Sequence, residues 1–187
     1  TTLGRAIPTL AATLKWPLAK STAQATHLLT PSVTVAWSDI LGDTPPNEDS
    51  TRTELDQANL FALSRFPGDD RAETGARVAA GLTYSRTALS GNFATLSFGR
   101  IWRDEVSTDF SPSSGLSGKA SDWLVAGQIT SPAGVYFDGR MLIGDDATTT
   151  LGAGRLGWRT DTVDLTAAYI WQAADPRESR PNSVSEW

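Results

Sequence analysis

The chain has 187 residues, with 16 Lys and Arg against 21 Asp and Glu for a formal net charge of −5. That length allows one domain with a sizeable core. Scattered, mildly acidic charge excludes the basic stripe of a nucleic-acid binder and the Lys/Arg cluster of a protein held on an anionic membrane surface. No cysteine is present, so disulfides and thiolate metal sites are excluded as well.

There is no run of about 18 apolar residues to make a transmembrane helix. The start, TTLGRAIPTL, has no basic stretch followed by an apolar run and is not a signal peptide. The chain is either cytosolic or an internal piece of a longer, processed protein. The one histidine, His27, reads as an ordinary surface or packing residue.

The hydrophobic period is two almost throughout. A first strand is predicted over 9–18, with Leu10, Ala12, Leu14, Trp16 and Leu18 on one parity and Lys15 on the other. A second, 28–37, sets Leu29, Val33, Val35 and Trp37 against Thr30, Ser32 and Thr34. The third, 76–86, sets Val78, Ala80, Leu82 and Tyr84 against Arg77, Gly81 and Thr83. The fourth, 93–103, sets Leu96, Phe98 and Trp102 against Thr95, Ser97 and Gly99, with Arg100 on the apolar parity. The fifth is 122–130. In the sixth, 135–143, Val135, Phe137, Met141 and Ile143 oppose Tyr136, Asp138, Arg140 and Leu142. The seventh, 151–159, sets Leu156 and Trp158 against Arg155 and Arg159. In the eighth, 163–172, Val163, Leu165, Ala167, Tyr169 and Trp171 oppose Asp164, Thr166 and Gln172. A ninth strand starts near Ser183, and nothing reads as a long amphipathic helix.

Connections after the odd strands are short and those after the even strands are longer. In an up-and-down meander this puts tight turns at one end and long polar loops at the other, the asymmetry of an outer-membrane β-barrel. The strands run about 9–11 residues, the length that crosses a bilayer at a tilt. Aromatics stand near the strand ends on the apolar parity, as interfacial girdles do: Trp37, Trp102 and Trp123 at one end, Tyr84 and Trp158 at the other. The fold class is therefore all-β: an antiparallel meander of about eight or nine transmembrane strands, an open segment of a large barrel. Leu82, Tyr84, Leu96, Phe98, Phe137, Met141, Leu165 and Tyr169 are expected to face lipid. Lys15, Thr83, Asp138, Arg140, Arg155, Arg159 and Asp164 are expected to face the lumen. A soluble β-sandwich is the alternative, since its strands alternate too.

The longest connection, 38–75, carries PPNEDS (45–50), NLF (59–61) and RFPGDDRAETGARV (65–78). Its charges are locally near balance, and the plain reading is a solvated loop whose individual ion pairs contribute little. Asp69, Asp70 and Glu73 lack the alternating spacing of an EF-hand loop, so no metal is expected. No cofactor is expected either. No serine motif surrounds the only histidine, which speaks against a barrel hydrolase.

The order of these motifs, followed by GLTYS, LSFGRIWR (96–103) and SSGLSGKASDWL (113–124), resembles the C-terminal barrel domain of the LptD family of lipopolysaccharide-assembly proteins, in its alphaproteobacterial type. The resemblance covers most of the chain. Asp70 departs from it, standing where an aromatic is more usual. The resemblance implies a barrel of roughly 26 strands in the Gram-negative outer membrane. It also implies an LptE-like lipoprotein plug, and delivery of lipopolysaccharide from a periplasmic bridge through a jelly-roll domain that has no match here. Asn47, Glu48, Asp49, Ser50, Asn59, Leu60, Phe61, Arg65, Phe66, Gly68, Asp70 and Arg71 would be extracellular-loop motif residues. Arg65 and Arg71 would either tie that loop shut or touch lipopolysaccharide; the adjacent acids favour the tie. A porin, general or substrate-specific, remains the competing function on the same architecture.

Overall fold

A computed structural model describes residues 4–42, 52–68 and 70–187. Asn47, Glu48, Asp49, Ser50 and Asp69 lie outside the described residues. In chain order the strands are β1 Arg5–Ala6, β2 Thr9–Lys15, β3 Leu18–Ser21, β4 Ala25–Ser38, β5 Leu41–Gly42, β6 Gly75–Ala88, β7 Phe93–Ser107, β8 Gly118–Ala120, β9 Trp123–Thr130, β10 Val135–Ile143, β11 Thr149–Arg159, β12 Asp164–Gln172 and β13 Val184–Glu186. Among the described residues the only helical pieces are 3-10 turns at Pro112–Ser114 and Pro176–Glu178.

β1 and β5 form a small separate ladder. All other strands join one 11-stranded antiparallel sheet, ordered β13-β12-β11-β10-β9-β7-β6-β4-β2, with β3 on β4 and β8 on β7. The expected meander is present, and the sheet is open. Tight turns (22–24, 89–92, 131–134, 160–163) gather at one end, and the longer segments 52–74, 108–117, 144–148 and 173–183 at the other.

One strand is broken where the sequence pattern has it continuous. The first does not run unbroken over 9–18: it stops at Lys15 and resumes at Leu18. The gap at Trp16 and Pro17 lies opposite Thr30 and Pro31 of β4, so two prolines remove ladder donors at one place. The fifth, expected over 122–130, is β9, and Ser121–Asp122 separates it from the short β8. There the Ser121 N–H donates to the Ile101 carbonyl at 2.9 Å, and Arg100 fills the bulge by donating from Nε to the Ser121 carbonyl at 2.7 Å.

Directly paired residues share a face of a sheet, so the register sorts every strand. One row runs Pro31–Leu82–Phe98–Val125–Met141, and another Leu29–Tyr84–Leu96. Phe137, Leu156 and Ala167 continue the same face. This face is bare and apolar: Leu82, Phe98 and Phe137 stay about 40% exposed and Leu165 58%. The aromatics Trp37, Trp102, Trp123, Tyr84 and Trp158 all stand on it. Arg100 stands on it too, but its guanidinium lies over the Trp123 ring (5.0 Å) and pairs with Asp145 (2.6 Å) beyond the strand ends. The opposite face holds the core. Ala79, Ile101, Leu124, Ala126, Leu142 and Leu151 project from it and pack against Leu55, Leu60, Phe66, Phe110 and Leu116 of the long segments.

Candidate functional site

The segment 52–74 is not a solvated loop standing off the sheet. It folds back over the core face and is fastened there in two ways, by shape and by charge.

The shape begins with an Asx turn. The Asp56 Oδ1 accepts the N–H groups of Ala58 and Asn59, both at 2.8 Å, while Asn59 Oδ1 accepts the Asp56 N–H at 3.0 Å. Asn59 Nδ2 also donates to the Glu54 carbonyl at 2.7 Å. This tight turn sends Leu55 and Leu60 to the sheet. Opposite them Gly81 pairs with Gly99, leaving a notch two residues wide without side chains. A Cβ on Gly81 would stand 3.0 Å from both Leu60 Cδ2 and Phe61 Cζ, and one on Gly99 would overlap Leu60 outright. Leu60 and Phe61 thus fill the space the glycines leave open. Phe66 is buried and stacks on Phe110, with centroids 4.7 Å apart at 18°.

The charge clasp centres on Glu73. Arg65 Nη1 donates to Glu73 Oε1 at 2.8 Å, and the Arg65 backbone N–H donates to the same oxygen at 3.0 Å. Arg65 Nη2 closes back onto the Leu60 carbonyl at 2.8 Å. Arg103 on β7 reaches Glu73 Oε2 at 3.3 Å. The Ser38 hydroxyl donates to the Glu73 carbonyl at 2.5 Å and accepts from Arg77 at 3.0 Å; Arg77 also donates to the Leu63 carbonyl. Arg65 and Glu73 are 4% and 7% exposed. Burial pushes the Glu73 carboxyl upward, but Arg65, through charge and hydrogen bond, then Arg103 and Arg77, more than offset it, leaving it below the usual glutamate range. Arg65 thus ties its own segment together through Glu73. Arg71 reaches Asp109 at 3.4 Å, and the Asp70 carbonyl accepts from Arg5 at 2.6 Å. Gly68, beside Pro67, is exposed at the loop tip.

Neighbouring segments lock the same cap. The Leu55 N–H donates to the Ser114 carbonyl at 2.9 Å. Fully buried Asp175 accepts the N–H groups of Ser113 (2.8 Å) and Arg177 (3.0 Å). Burial raises its carboxyl, but these bonds hold it below the ordinary aspartate range. Arg140 on β10 donates to the Leu55 carbonyl (3.2 Å) and pairs with Glu54, which also accepts from Gln172 at 2.9 Å.

Nearer the tight turns, the same face is uncovered and polar. Arg155 pairs with Asp138 at 2.9 Å and Arg159 with Asp164 at 2.8 Å, and both guanidiniums lie over the Tyr136 ring. Thr83 and Ser97 share a hydroxyl bond at 3.2 Å, and Lys15 is exposed beside Ser32. Between residues 56–58 and this polar surface runs a groove of about 860 Å³, lined by Gln128, Asp138, Arg140, Arg155, Ile170 and Glu186. Hence Lys15, Thr83, Asp138, Arg140, Arg155, Arg159 and Asp164 share one face, and Leu82, Tyr84, Leu96, Phe98, Phe137, Met141, Leu165 and Tyr169 share the other.

Among the described residues no group of three or more His, Asp or Glu could hold a metal, and His27 Nδ1 is engaged with the Tyr84 hydroxyl at 2.8 Å. Sequence reasoning missed Glu73, Arg77 and Arg103 as a clasp, the Gly81–Gly99 notch, and Asp175. One signal was available: Ile101, Leu124, Leu142 and Leu151 are apolar on the polar parity, all toward the long-segment end. Apolar residues there require a cover.

Compared with known families, the family described as LPS transport system D matches residues 1–186. No curated protein matches the chain.

Proposed function

The chain belongs to the LptD family of lipopolysaccharide-transport proteins, and from that premise we propose that its sheet is part of the wall of an outer-membrane β-barrel that delivers lipopolysaccharide to the outer leaflet. The observation that carries this is the segregation of the two faces. Leu82, Phe98, Phe137, Met141 and Leu165 make a continuous exposed apolar surface across neighbouring strands, larger than a monomer keeps in water. Their face is the lipid side; the face of Lys15, Thr83, Asp138, Arg140, Arg155, Arg159 and Asp164 is the lumen side. Trp37, Trp102 and Trp123 then form the girdle at one interface, Tyr84 and Trp158 at the other.

On this reading the segments 52–74, 108–117 and 173–183 are extracellular, and the cap they build closes the outer end of the lumen along this stretch of wall. Asn59, Leu60, Phe61, Arg65 and Phe66 hold the cap in place, while Gly68, Asp70 and Arg71 form its outer surface, where lipopolysaccharide phosphates and sugars lie. The groove below the cap, with its mixed polar and apolar lining, is the surface available to an LptE-like lipoprotein plug. Lipopolysaccharide itself arrives from a periplasmic bridge. Because backbone polar groups cannot stay unpaired in lipid, both β2 and β13 need further strands beside them.

The porin alternative asks for a constriction loop with opposed acidic and basic screens. Segment 52–74 does not suit that role, because its central charges, Arg65 and Glu73, are spent on each other and on Arg103, and Leu55, Leu60 and Phe66 pack it down on the wall. The test is depletion of the full-length protein in cells. Newly made lipopolysaccharide should stop reaching the surface, as read by an outside-added label. Normal surface delivery together with lost uptake of small solutes would instead identify a porin.

A further inference from the structure

The bare face ends in a row of basic side chains. Lys20 pairs with His27 across β3 and β4, and His27 with Arg86 across β4 and β6, so the three share one face and one row. The next row toward the long-segment end is Leu18–Leu29–Tyr84, where apolar surface begins. The row thus lies between the tight turns and the apolar band. Neighbouring strands are about 4.8 Å apart, so the row spans roughly 10 Å, the breadth of a phospholipid headgroup or two. His27 is held toward that border by its bond to the Tyr84 hydroxyl (2.8 Å).

The row has no carboxylate of its own. Although the chain is net negative, no Asp or Glu occurs before Asp39 or between Glu73 and Asp104. Those three acids all sit at or beyond the opposite ends of β4, β6 and β7 or in the final turns of those strands. Among the described residues Lys20 and Arg86 make no ion pair. On the core face Arg155, Arg159 and Arg140 each have an acid in place.

We propose that Lys20, His27 and Arg86 bind the headgroup phosphate of an anionic phospholipid in the leaflet at the tight-turn end. The proposal rests on the bare face being the lipid face. A phosphate at that depth meets two fixed cations and an imidazole, while the acyl chains lie against Leu18, Leu29 and Leu82. Juxtamembrane cations attract anionic headgroups in this way, each charge strengthening binding severalfold.

The test uses the full-length protein in detergent micelles with dimyristoyl-phosphatidylglycerol, bound lipid being counted by native mass spectrometry. K20Q/R86Q should hold the lipid about ten- to thirtyfold more weakly than the unaltered protein, two lost charges' worth. K20R/R86K should restore binding. K15Q, which removes a charge from the opposite face, should change nothing. Equal retention by K20Q/R86Q, or equal loss in K15Q, would overturn the proposal. So would displacement of the lipid by millimolar inorganic phosphate, which would mean a free-anion site. A nitroxide at Leu82 in the same protein keeps the two ideas apart. Lipid exposure there without phosphatidylglycerol retention sinks the row alone; absence of lipid exposure sinks the face assignment.

Discussion

Leu60 occupies the space that any side chain on Gly99 would fill. A loop residue is thereby seated on the backbones of β6 and β7, and the cap depends on glycine as much as on leucine. Gly99→Val should expel the segment, and the Ala80 carbonyl, 2.9 Å from the new Cβ, leaves little room for adjustment. Leu60→Ala should loosen the cap by about 2–5 kcal/mol, the usual cost of a fully buried leucine. Limited proteolysis after Arg65 and Arg71 checks both: cleavage should be fast in either variant and slow in the parent. Equal cleavage would mean the notch does not hold the loop.

Glu73 should make the cap sensitive to acid. Its carboxyl titrates below the ordinary glutamate value of about 4.3, so ionised Glu73 stabilises the folded cap. That contribution is complete above the unfolded value and fades as pH falls through the lowered folded one. Hydrogen exchange of the Arg65 amide should stay slow from pH 7 to about pH 5, after correction for intrinsic rates, and quicken below about pH 4. Glu73→Gln should be quick at every pH, because it strands Arg65 and Arg103; breaking such a buried pair costs about 3–5 kcal/mol. A Glu73→Gln profile that matches the parent would remove the clasp.

How much of this was legible beforehand differs by level. The period-two pattern located nearly every strand, because a half-buried sheet writes its faces into alternating residues. It placed Leu82 and Phe137 opposite Thr83 and Asp138 without ambiguity. What it did not disclose was the cover on the polar parity. Arg65 was surrounded in sequence by Asp69, Asp70 and Glu73, and proximity along the chain does not say which acid the fold turns inward. Arg103 lies a strand away from the loop it holds, Arg77 meets Ser38 only across the β4–β6 pairing, and Gly81 opposes Gly99 only once the β6–β7 register is known. The prolines that break the first ladder act together for the same reason, since Pro17 and Pro31 meet only across strands.

Facing can be tested energetically. Arginine at Leu82, Phe137 or Leu165 should destabilise the vesicle-inserted protein by about 2–4 kcal/mol where these residues lie near the bilayer midplane. Arginine at Thr95 or Thr166 should cost much less. Denaturant titration of the full-length protein in vesicles gives both values, and equal costs on the two parities would argue against a membrane wall.

Topology can be tested from outside the cell. Single cysteines at Ser117, Pro181 or Asn182 should react with an impermeant maleimide on intact cells. Cysteines at Ser90 or Ser131, in the tight turns, should react only after the outer membrane is opened. Ser113 and Ser114 should stay silent in both conditions, because they are buried under the cap. Labelling of Ser90 from outside would invert the orientation.

The central claim is that the bare apolar face meets lipid hydrocarbon. Nitroxides placed singly at Leu82, Phe137 and Leu165, and at Thr83, Asp138 and Thr166, in the full-length protein in vesicles measure it directly through collision with oxygen, which concentrates in lipid, and with a water-soluble nickel chelate. The first three sites should be open to oxygen and shielded from nickel, and the second three should show the reverse or be shielded from both. High nickel access at Leu82, Phe137 and Leu165 would put that face in water and contradict the membrane-wall account.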